Sequence, residues 1–592
     1  MEYTVRIAGT PCETRVSGGT LAEACALLGH PLELVCGGNG RCGKCDVLVE
    51  RRGVRETVRA CITPVTEDIT VFLEVSENAS AQILTSGGAH DVFAPAVTKA
   101  VLSPAEREPE HCGAYLRGVS LAAARQFSRA HRDAEEEPLT FIRHEDTLLG
   151  VQRGDTAPRL YGAAVDIGTT TVAMYIYDLT TGAPLHTGSA LNGQIRYGAD
   201  VINRIIETTK PGGIKKLQDA VIKETINPMI HEMCRSIHFP EGQIYRMCVA
   251  SNTTMNHLFA GINADYLRTE PYIPAFFKTN SLFASDVGIE INKDAHIIMA
   301  PNIGSYVGGD ITAGTLVSMI WNRPEFSLFI DLGTNGELVF GNSDFMMSCA
   351  CSAGPAFEGG DISCGMRATD GAIEACTIDK ETMEPTYKVV GEPGTKPVGL
   401  CGSGIIDVIS ELYMTGIINP KGKFVREGKR VRHDHYGMGS YVIAFEEEAG
   451  SAKDVEITEV DIDNFIRAKG AIFSAIRTML TSLDFDVSMI DDVYVAGGIG
   501  SGINMQNAVN IGMFPDIPIE KFHYIGNSSL TGAYLMLLST PAEKKTYELA
   551  SNMTYMELST VPIYMDEFVG ACFIPHTDTS MFPTVMEEIQ NR

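Results

Sequence analysis

Apolar and polar positions alternate along residues 3 to 17, YTVRIAGTPCETRVS, on either side of Gly9, and this period of two predicts an antiparallel hairpin. Residues 20 to 28 change to helical spacing, with Thr20 as the N-cap and Glu23 placed for a capping box. Between residues 79 and 160 the pattern breaks up around Pro95, Pro104, Pro109, Pro138 and Pro158, leaving one Ala-rich helical piece near 116 to 131. A linker with a small helical or mixed subdomain is expected there. The acidic run Glu135 to Glu137 reads as solvated surface, and the adjacent His111 and Cys112 as an incidental pair rather than a metal site.

From Tyr161 onward strand and helix signals alternate. Strands over 163–165, 171–177 and 184–190 precede helices around 199–208 and 215–237. A strand over 245–250 runs into the turn SNTTMNH and a helix, and one over 297–300 is followed by GSYVGGD and a helix over 311–320. Further on come CSAGPAFEGGD, CGSGIIDVISELY, an amphipathic helix over 458–483 and a strand over 493–496 that leads into AGGIGSG. One stretch occurs twice: GAAVDIGTTTVAMYIYD at 162–178 has a partial copy, LFIDLGTNGELVF, at 328–340. In both, an apolar strand ends in Asp (Asp166, Asp331), turns through glycine (Gly168, Gly333) and enters a second apolar run. Such a hairpin offers backbone N–H groups and a hydroxyl to a phosphate and places the Asp to hold a metal ion or its water. Two facing copies would grip a nucleotide's phosphates between them. Gly308, Gly309 and Asp310 read as a flexible turn at a helix start, a hinge between lobes, and the AGGIGSG glycines as a weaker signal for a phosphate- or nucleoside-facing helix start.

The N-terminal part carries its own chemistry in CGGNGRCGKC. Cys36, Cys42 and Cys45 have the spacing C-x5-C-x2-C, and Cys61 follows. Four thiolates suit a two-iron two-sulfur cluster, and Gly37, Gly38, Gly40 and Gly43 let a loop close round it while donating N–H bonds to sulfur. A structural zinc site is the alternative, although zinc motifs usually pair two short C-x2-C hooks and only one is present. Cys61 is the least secure ligand, with Cys12 and Cys25 as substitutes that would serve equally well as buried small residues.

Composition adds limits. A chain of 592 residues outgrows a single core, so three or more domains are expected. Apolar content of 44% with 20% charge excludes a disordered chain. No run reaches the ~18 apolar residues of a membrane span, and the first residues lack a basic region followed by an apolar one; a cytoplasmic protein without a membrane partner is expected. A formal charge of −27 argues against nucleic acid as a partner. Fifteen cysteines in a long chain of this kind point to metal or thiol chemistry rather than a disulfide scaffold.

The hairpin, helix, glycine-rich cysteine loop, strand and late cysteine resemble the plant and adrenodoxin-type ferredoxins with their β-grasp fold. DIGTTT (166–171), DLGTNGE (331–337), GGD (308–310) and AGGIGSG (496–502) resemble the phosphate 1, phosphate 2, connecting and adenosine motifs of the actin, Hsp70 and sugar-kinase ATPases. Together, and with CSAGPAFEGGD and the tail YMELSTVPIYMDEFVGACFIPHTD, the chain resembles the reductive activators of corrinoid proteins, ATP-dependent enzymes that return inactive Co(II) to Co(I) in methyl-transfer systems. Across 95–160 the family's middle domain is usually longer than here.

The resemblance implies a multidomain α/β fold: a β-grasp ferredoxin-like domain over 1–80, a linker and small middle subdomain over 81–160, and a two-lobed actin/Hsp70-like (ribonuclease H-like) ATPase over 161–592, with lobes over about 161–325 and 326–592. It implies a two-iron two-sulfur cluster on Cys36, Cys42, Cys45 and Cys61, ATP and Mg²⁺. Gly168, Thr169 and Thr170, with Gly333, Thr334 and Gly336, would hold phosphate; Asp166 and Asp331 would hold Mg²⁺ or its waters; Gly497, Gly498 and Gly500 would face the nucleoside. Asp310 or Glu337 would orient an attacking water, unless they are a helix cap and a solvated strand residue. The implied partners are a corrinoid protein of a methyltransferase system and a low-potential donor such as a reduced ferredoxin or flavodoxin, with a homodimer as the assembly. A small-molecule kinase with a redox-switch domain and a non-catalytic nucleotide-binding redox sensor are the competing readings. An activator whose cluster bridges two subunits would need paired cysteines in the ATPase lobes; Cys349 and Cys351 are the candidates, and both read as core or loop thiols.

Overall fold

The computed structural model describes residues 3–8, 13–16, 18–28, 46–72, 93–107, 116, 118–133, 136–198, 200–279, 282–333, 335–451, 453–498 and 502–591. Gly9, Cys12, Cys36, Cys42, Cys45, His111, Cys112, Glu135, Thr334 and Gly500, and the side chain of Glu23, lie outside them. The described residues fall into two units, one running to Val317 and including Ser529–Ser551, the other made of Ser318–Ser528 and 552–591. The stretch Ser529–Ser551 therefore leaves the lobe expected over 326–592, because its helices Ser528–Leu538 and Thr540–Asn552 pack largely with the first unit.

The first unit opens with β1 (Tyr3–Ile7), β2 (Glu13–Val16), β3 (Asp46–Arg51), β4 (Val54–Arg59) and β5 (Ile69–Phe72) in the order β2-β1-β5-β3-β4. β1 and β2 form the expected antiparallel hairpin, Tyr3 opposite Val16, while β1 and β5 run parallel. The helix Leu21–Leu27 puts Leu21, Ala22, Ala24 and Cys25 into the core with Val5, Ile7, Val49 and Val71. A mixed sheet with a central parallel pair and one packed helix is the β-grasp.

Next come β6 (Val97–Leu102), β7 (Gly118–Val119), β8 (Leu139–His144) and β9 (Thr147–Arg153), in the order β6-β8-β9-β7. The helix Leu121–Asp133 supplies Ala123, Phe127 and Ala130 to a small core with Leu102, Leu139, Phe141 and Val151.

β10 (Tyr161–Ile167), β11 (Thr171–Asp178), β12 (Pro184–Leu191), β13 (Ile244–Ser251) and β14 (His296–Met299) follow in the order β12-β11-β10-β13-β14, with β10–β12 antiparallel and β13 and β14 parallel to β10. β13 is buried along its whole length, as a central strand covered on both faces requires. Its single charge, Arg246, pairs with Glu543 and lies 3.1 Å from Nε2 of His144, whose ring stacks on His296 at 4.0 Å. The helix expected over 215–237 is Gly213–Val221 and Asn227–Ser236 joined by a π turn at Ile222–Ile226. Pro228 has no N–H for the α-helical ladder, and the wider turn before it absorbs the break.

The second unit contains β15 (Ser327–Leu332), β16 (Gly336–Gly341) and β17 (Met346–Cys351), then the small sheets of β18 (Ala372–Ile378), β19 (Pro385–Val389) and β20 (Gly399–Leu400) and of β21 (Val431–His433), β22 (Gly439–Ala444) and β23 (Val455–Thr458). β24 (Asp492–Ala496), β25 (Phe522–Tyr524) and β26 (Met553–Tyr555) complete the main sheet, ordered β25-β24-β15-β16-β17-β26. Counted from their first strands, both main sheets share the order 3-2-1-4-5, two ribonuclease H-like lobes, so the repeat in sequence is a repeat of topology. The amphipathic helix Glu459–Ser482 begins at a capping box of Thr458 and Asp461. On it Lys469 is fully buried and donates from Nζ to the carbonyls of Phe573 and, at 2.7 Å, Pro575, which fastens the C-terminal stretch. Burial pushes Lys469 down to about 7. Cys349 and Cys351 lie in the core of this unit, as core thiols should.

Burial, then the charges of Arg246 and His296, push His144 down to about 3, so it is neutral in the fold. An unfolded histidine titrates near 6.5 and then binds a proton the folded one does not, so stability of the first unit falls as pH drops from about 6.5 towards 3. The limiting contribution of this residue is about 1.4 kcal/mol per pH unit. His144→Gln is expected to flatten the fall in urea-unfolding stability between about pH 6.5 and pH 5; equal slopes for the two proteins would overturn this.

Candidate functional site

The turn between β10 and β11 is closed by Gly168 N–H donating to the Thr171 carbonyl at 2.9 Å. Its own carbonyls are drawn into the lobe. Asn192 Nδ2 donates to Gly168 O at 2.9 Å, the buried Arg204 donates from Nη2 to Thr169 O, and Asn192 N–H donates to Thr170 O at 2.9 Å. In a planar trans peptide the C=O and N–H point opposite ways, so the N–H groups of Thr169 and Thr170 are turned away from these donors. The Thr169 hydroxyl accepts from Asn252 Nδ2 at 3.4 Å, and Asn252 itself caps the helix Thr253–Ala260. The Asp166 carboxylate accepts from Ser529 Oγ at 2.9 Å.

Asn192 and Gln194 are held in turn by the π-turn helix: Gly193 N–H donates to Thr225 Oγ1 at 3.0 Å, and Gln194 Nε2 to Leu217 O at 2.9 Å. Gly308 and Gly309 start the helix Gly309–Ser318 and are there for close approach. A Cβ on Gly308 would lie 2.4 Å from Thr253 N, and one on Gly309 2.4 Å from Ala300 O. These glycines therefore hold the helix start against the residues that directly follow β13 and β14, so close contact accounts for both glycines without any need for backbone freedom. Asp310 sits in the first turn with Oδ1 accepting from Ile311 N–H at 2.8 Å.

In the second unit Asp331 and Glu337 are directly opposed across β15 and β16. Glu337 is buried, which removes the reading as a solvated strand residue. Gly333 N–H donates to Asn335 O at 3.0 Å. Gly336 packs against its own lobe, since a Cβ there would lie 2.8 Å from Cys351 Sγ. Gly497 has φ +102°, and a Cβ would stand 2.2 Å from Leu332 O and 3.0 Å from Asp331 Oδ1, so the AGG turn lies directly on the end of β15. Gly498 has open space where a side chain would be. The chain returns at Gly502, which approaches Ser403 Oγ in the first turn of the buried helix Gly402–Met414. That helix start, free of charged side chains, adds N–H groups beside the glycine loop.

Of the four proposed cluster thiols the structure describes Cys61, which is 7% exposed on a turn held to the helix Leu21–Leu27 by Leu21 N–H to Thr63 O at 2.8 Å and Ala22 N–H to Ala60 O at 3.1 Å. Burial pushes the Cys25 thiol up to about 12, the behaviour of a core residue. Among the described residues no helix is long and apolar enough to cross a membrane.

Residues 325–586 match the family described as the C-terminal domain of RACo, the ASKHA domain, and residues 161–323 match the RACo middle region, so that region is the lobe beginning at β10 and not the stretch 95–160 where it was expected. The corrinoid activation enzyme RamQ of Eubacterium limosum is 32% identical over 571 residues, 93% of this chain and 95% of that protein. A solved reductive activator for corrinoid, iron-sulfur protein is 38% identical over 98% of this chain and 100% of its own, with a TM-score of 0.76. The chain belongs to the reductive activators of corrinoid proteins. A further relative, the [Co(II) methylated amine-specific corrinoid protein] reductase of Methanosarcina barkeri, is 26% identical over 67% of this activator and 73% of that protein.

The activator's site includes residues that sequence reasoning passed over. Asn192, Gln194 and Arg204 carry no motif; each is a buried polar residue in a segment that also has exposed positions, so nothing in the sequence marks it. Ser403 lay in a stretch singled out without a role. Gly497→Ala is expected to destabilise the second unit by more than the ~1–2 kcal/mol of a left-handed non-glycine residue, because Leu332 O must also move. Gly498→Ala should leave stability unchanged within about 0.5 kcal/mol. Thermal unfolding of the two variants side by side checks this, and equal melting would overturn it.

Proposed function

We propose that this activator performs the ATP-dependent reduction of a corrinoid protein, passing one electron to cobalt and converting Co(II) to Co(I) in a methyl-transfer system. The observation that carries the reading is likeness along nearly the whole chain to a reductive activator, with 38% identity and a TM-score of 0.76, which favours activation over the small-molecule kinase and redox-sensor readings. A two-iron two-sulfur cluster on Cys36, Cys42, Cys45 and Cys61 supplies single-electron transfer when bound. Cys61 fits that role as a thiol at the edge of the described core cluster, on a turn braced by two backbone hydrogen bonds.

Gly168, Thr169 and Thr170 in one lobe, and Gly333, Thr334 and Gly336 in the other, hold the phosphates of ATP through backbone N–H groups and hydroxyls. Gly497, Gly498 and Gly500 face the nucleoside. Asp166 and Asp331 hold Mg²⁺ or its waters. Asp331 stands directly opposite Glu337 across β15 and β16, and a hard cation beside Asp331 would be favoured by both acids. Asp310 or Glu337 orients the attacking water.

ATP helps the electron uphill only by favouring one protein state over another. A differential affinity of about 10⁴ is worth roughly 5.5 kcal/mol, or about 240 mV for one electron at 59 mV per tenfold. The donor is a low-potential protein such as a reduced ferredoxin or flavodoxin, and the working assembly a homodimer. Reduction of a candidate corrinoid protein, followed by its visible spectrum under anaerobic conditions, is expected to require MgATP; equal rates without it would sink the proposal. Cys42→Ser should abolish electron delivery while keeping nucleotide binding. Asp331→Ala should do the reverse, leaving the iron–sulfur spectrum intact.

A further inference from the structure

Arg204, on the helix Val201–Thr208, is among the largest fully buried side chains, and all the acceptors recorded for it are neutral. Besides Thr169 O it donates from Nε to Gly198 O at 2.9 Å and from Nη1 to Gln194 Oε1 at 3.1 Å, with Met255 Sδ at 3.3 Å. Among the described residues no carboxylate oxygen lies within 4.0 Å of its guanidinium. Asp200 acts on it from farther off, and that carboxylate is occupied in capping the helix through Asn203 N–H at 2.8 Å. A buried cation without a counter-ion is expensive, and guanidinium stays charged at neutral pH. Another fully buried cation of this unit, Arg246, does have its carboxylate, Glu543. The uncompensated charge stands one peptide behind a turn whose N–H groups are turned away from it.

We infer that Arg204 is the fixed positive charge of this half of the nucleotide site: it draws the Thr169 carbonyl inward and finds its counter-charge in the phosphates of bound MgATP. Arg204 is thus a positioning residue that acts through the Thr169 peptide and through its field. The inference rests on the nucleotide-binding reading above. A purely structural brace would make the same hydrogen bonds but would be indifferent to the number of phosphates on the ligand.

The test is titration calorimetry of the full chain with a non-hydrolysable MgATP analogue and with adenosine, beside thermal unfolding. Arg204→Met is expected to weaken the analogue at least about tenfold and adenosine little, with Arg204→Lys recovering part of the loss. Gln194→Glu, which sets a carboxylate against Nη1, is expected to weaken the analogue in the same selective way and serves where Arg204→Met does not fold. No binding of the analogue to the unmodified chain would overturn the nucleotide reading itself. Binding to the unmodified chain, with the ratio of analogue to adenosine affinity unaltered in a folded variant, would overturn the assignment to Arg204 alone.

Discussion

Three carbonyls pulled into the first lobe at the turn after β10 are the constraint that sets which way the N–H groups of that turn point, and the proposed phosphate contacts depend on it. A tight turn of small residues has no intrinsic reason to present its N–H groups in one direction. Here the choice is made by donors supplied from elsewhere, namely Asn192 through side chain and backbone and Arg204 through its guanidinium. Those donors are rigid because they are themselves accounted for. Asn192 and Gln194 are 1% exposed, and the segment that carries them is held by Thr225 inside the π turn. A distortion that would be a defect in an isolated helix thus places the residues that orient the site.

The two main sheets repeat one topology, yet their turns are secured by different means. In the first lobe polar side chains, one of them a buried cation, tie the turn from behind. In the second, the AGG turn lies on the end of β15 through Gly497, and backbone contact does the work. A backbone clamp tolerates no side chain, whereas a side-chain clamp tolerates variation in the backbone it holds. The same function of positioning an Asp-ended strand is therefore written once as glycine and once as asparagine and arginine. This asymmetry explains why only part of the repeat is visible as repeated sequence: the strands and the Asp–Gly step recur, while the parts that hold them do not.

Strand and helix positions in both lobes were legible because burial on one face leaves a period, and 245–250 and 458–483 fall within about two residues of the observed elements. Capping by Thr458 was legible in outline for the same local reason. What was not legible is long-range. Gly308 and Gly309 looked like a hinge, since sequence cannot distinguish a glycine needed for freedom from one needed for contact, and here contact with Thr253 and Ala300 decides. The return of Ser529–Ser551 to the first unit leaves no local mark, because a helix carries its amphipathic face whichever core it joins. Arg204 was invisible for the opposite reason: within VINRIIET it occupies a position of an amphipathic helix where an exposed cation is the ordinary reading.

The N-terminal domain shows how a small core divides labour. Its apolar cluster is built from short strands and one helix, little for a domain that must present a reactive loop. Cys61 is placed where that core, the turn after β4 and the start of the helix Leu21–Leu27 meet, which anchors it. Cys25 lies deeper in the same core, and with its thiol pushed up by burial it contributes volume rather than chemistry. A metal held in part by Cys61 would join its other ligands to a thiol that this core already fixes in place.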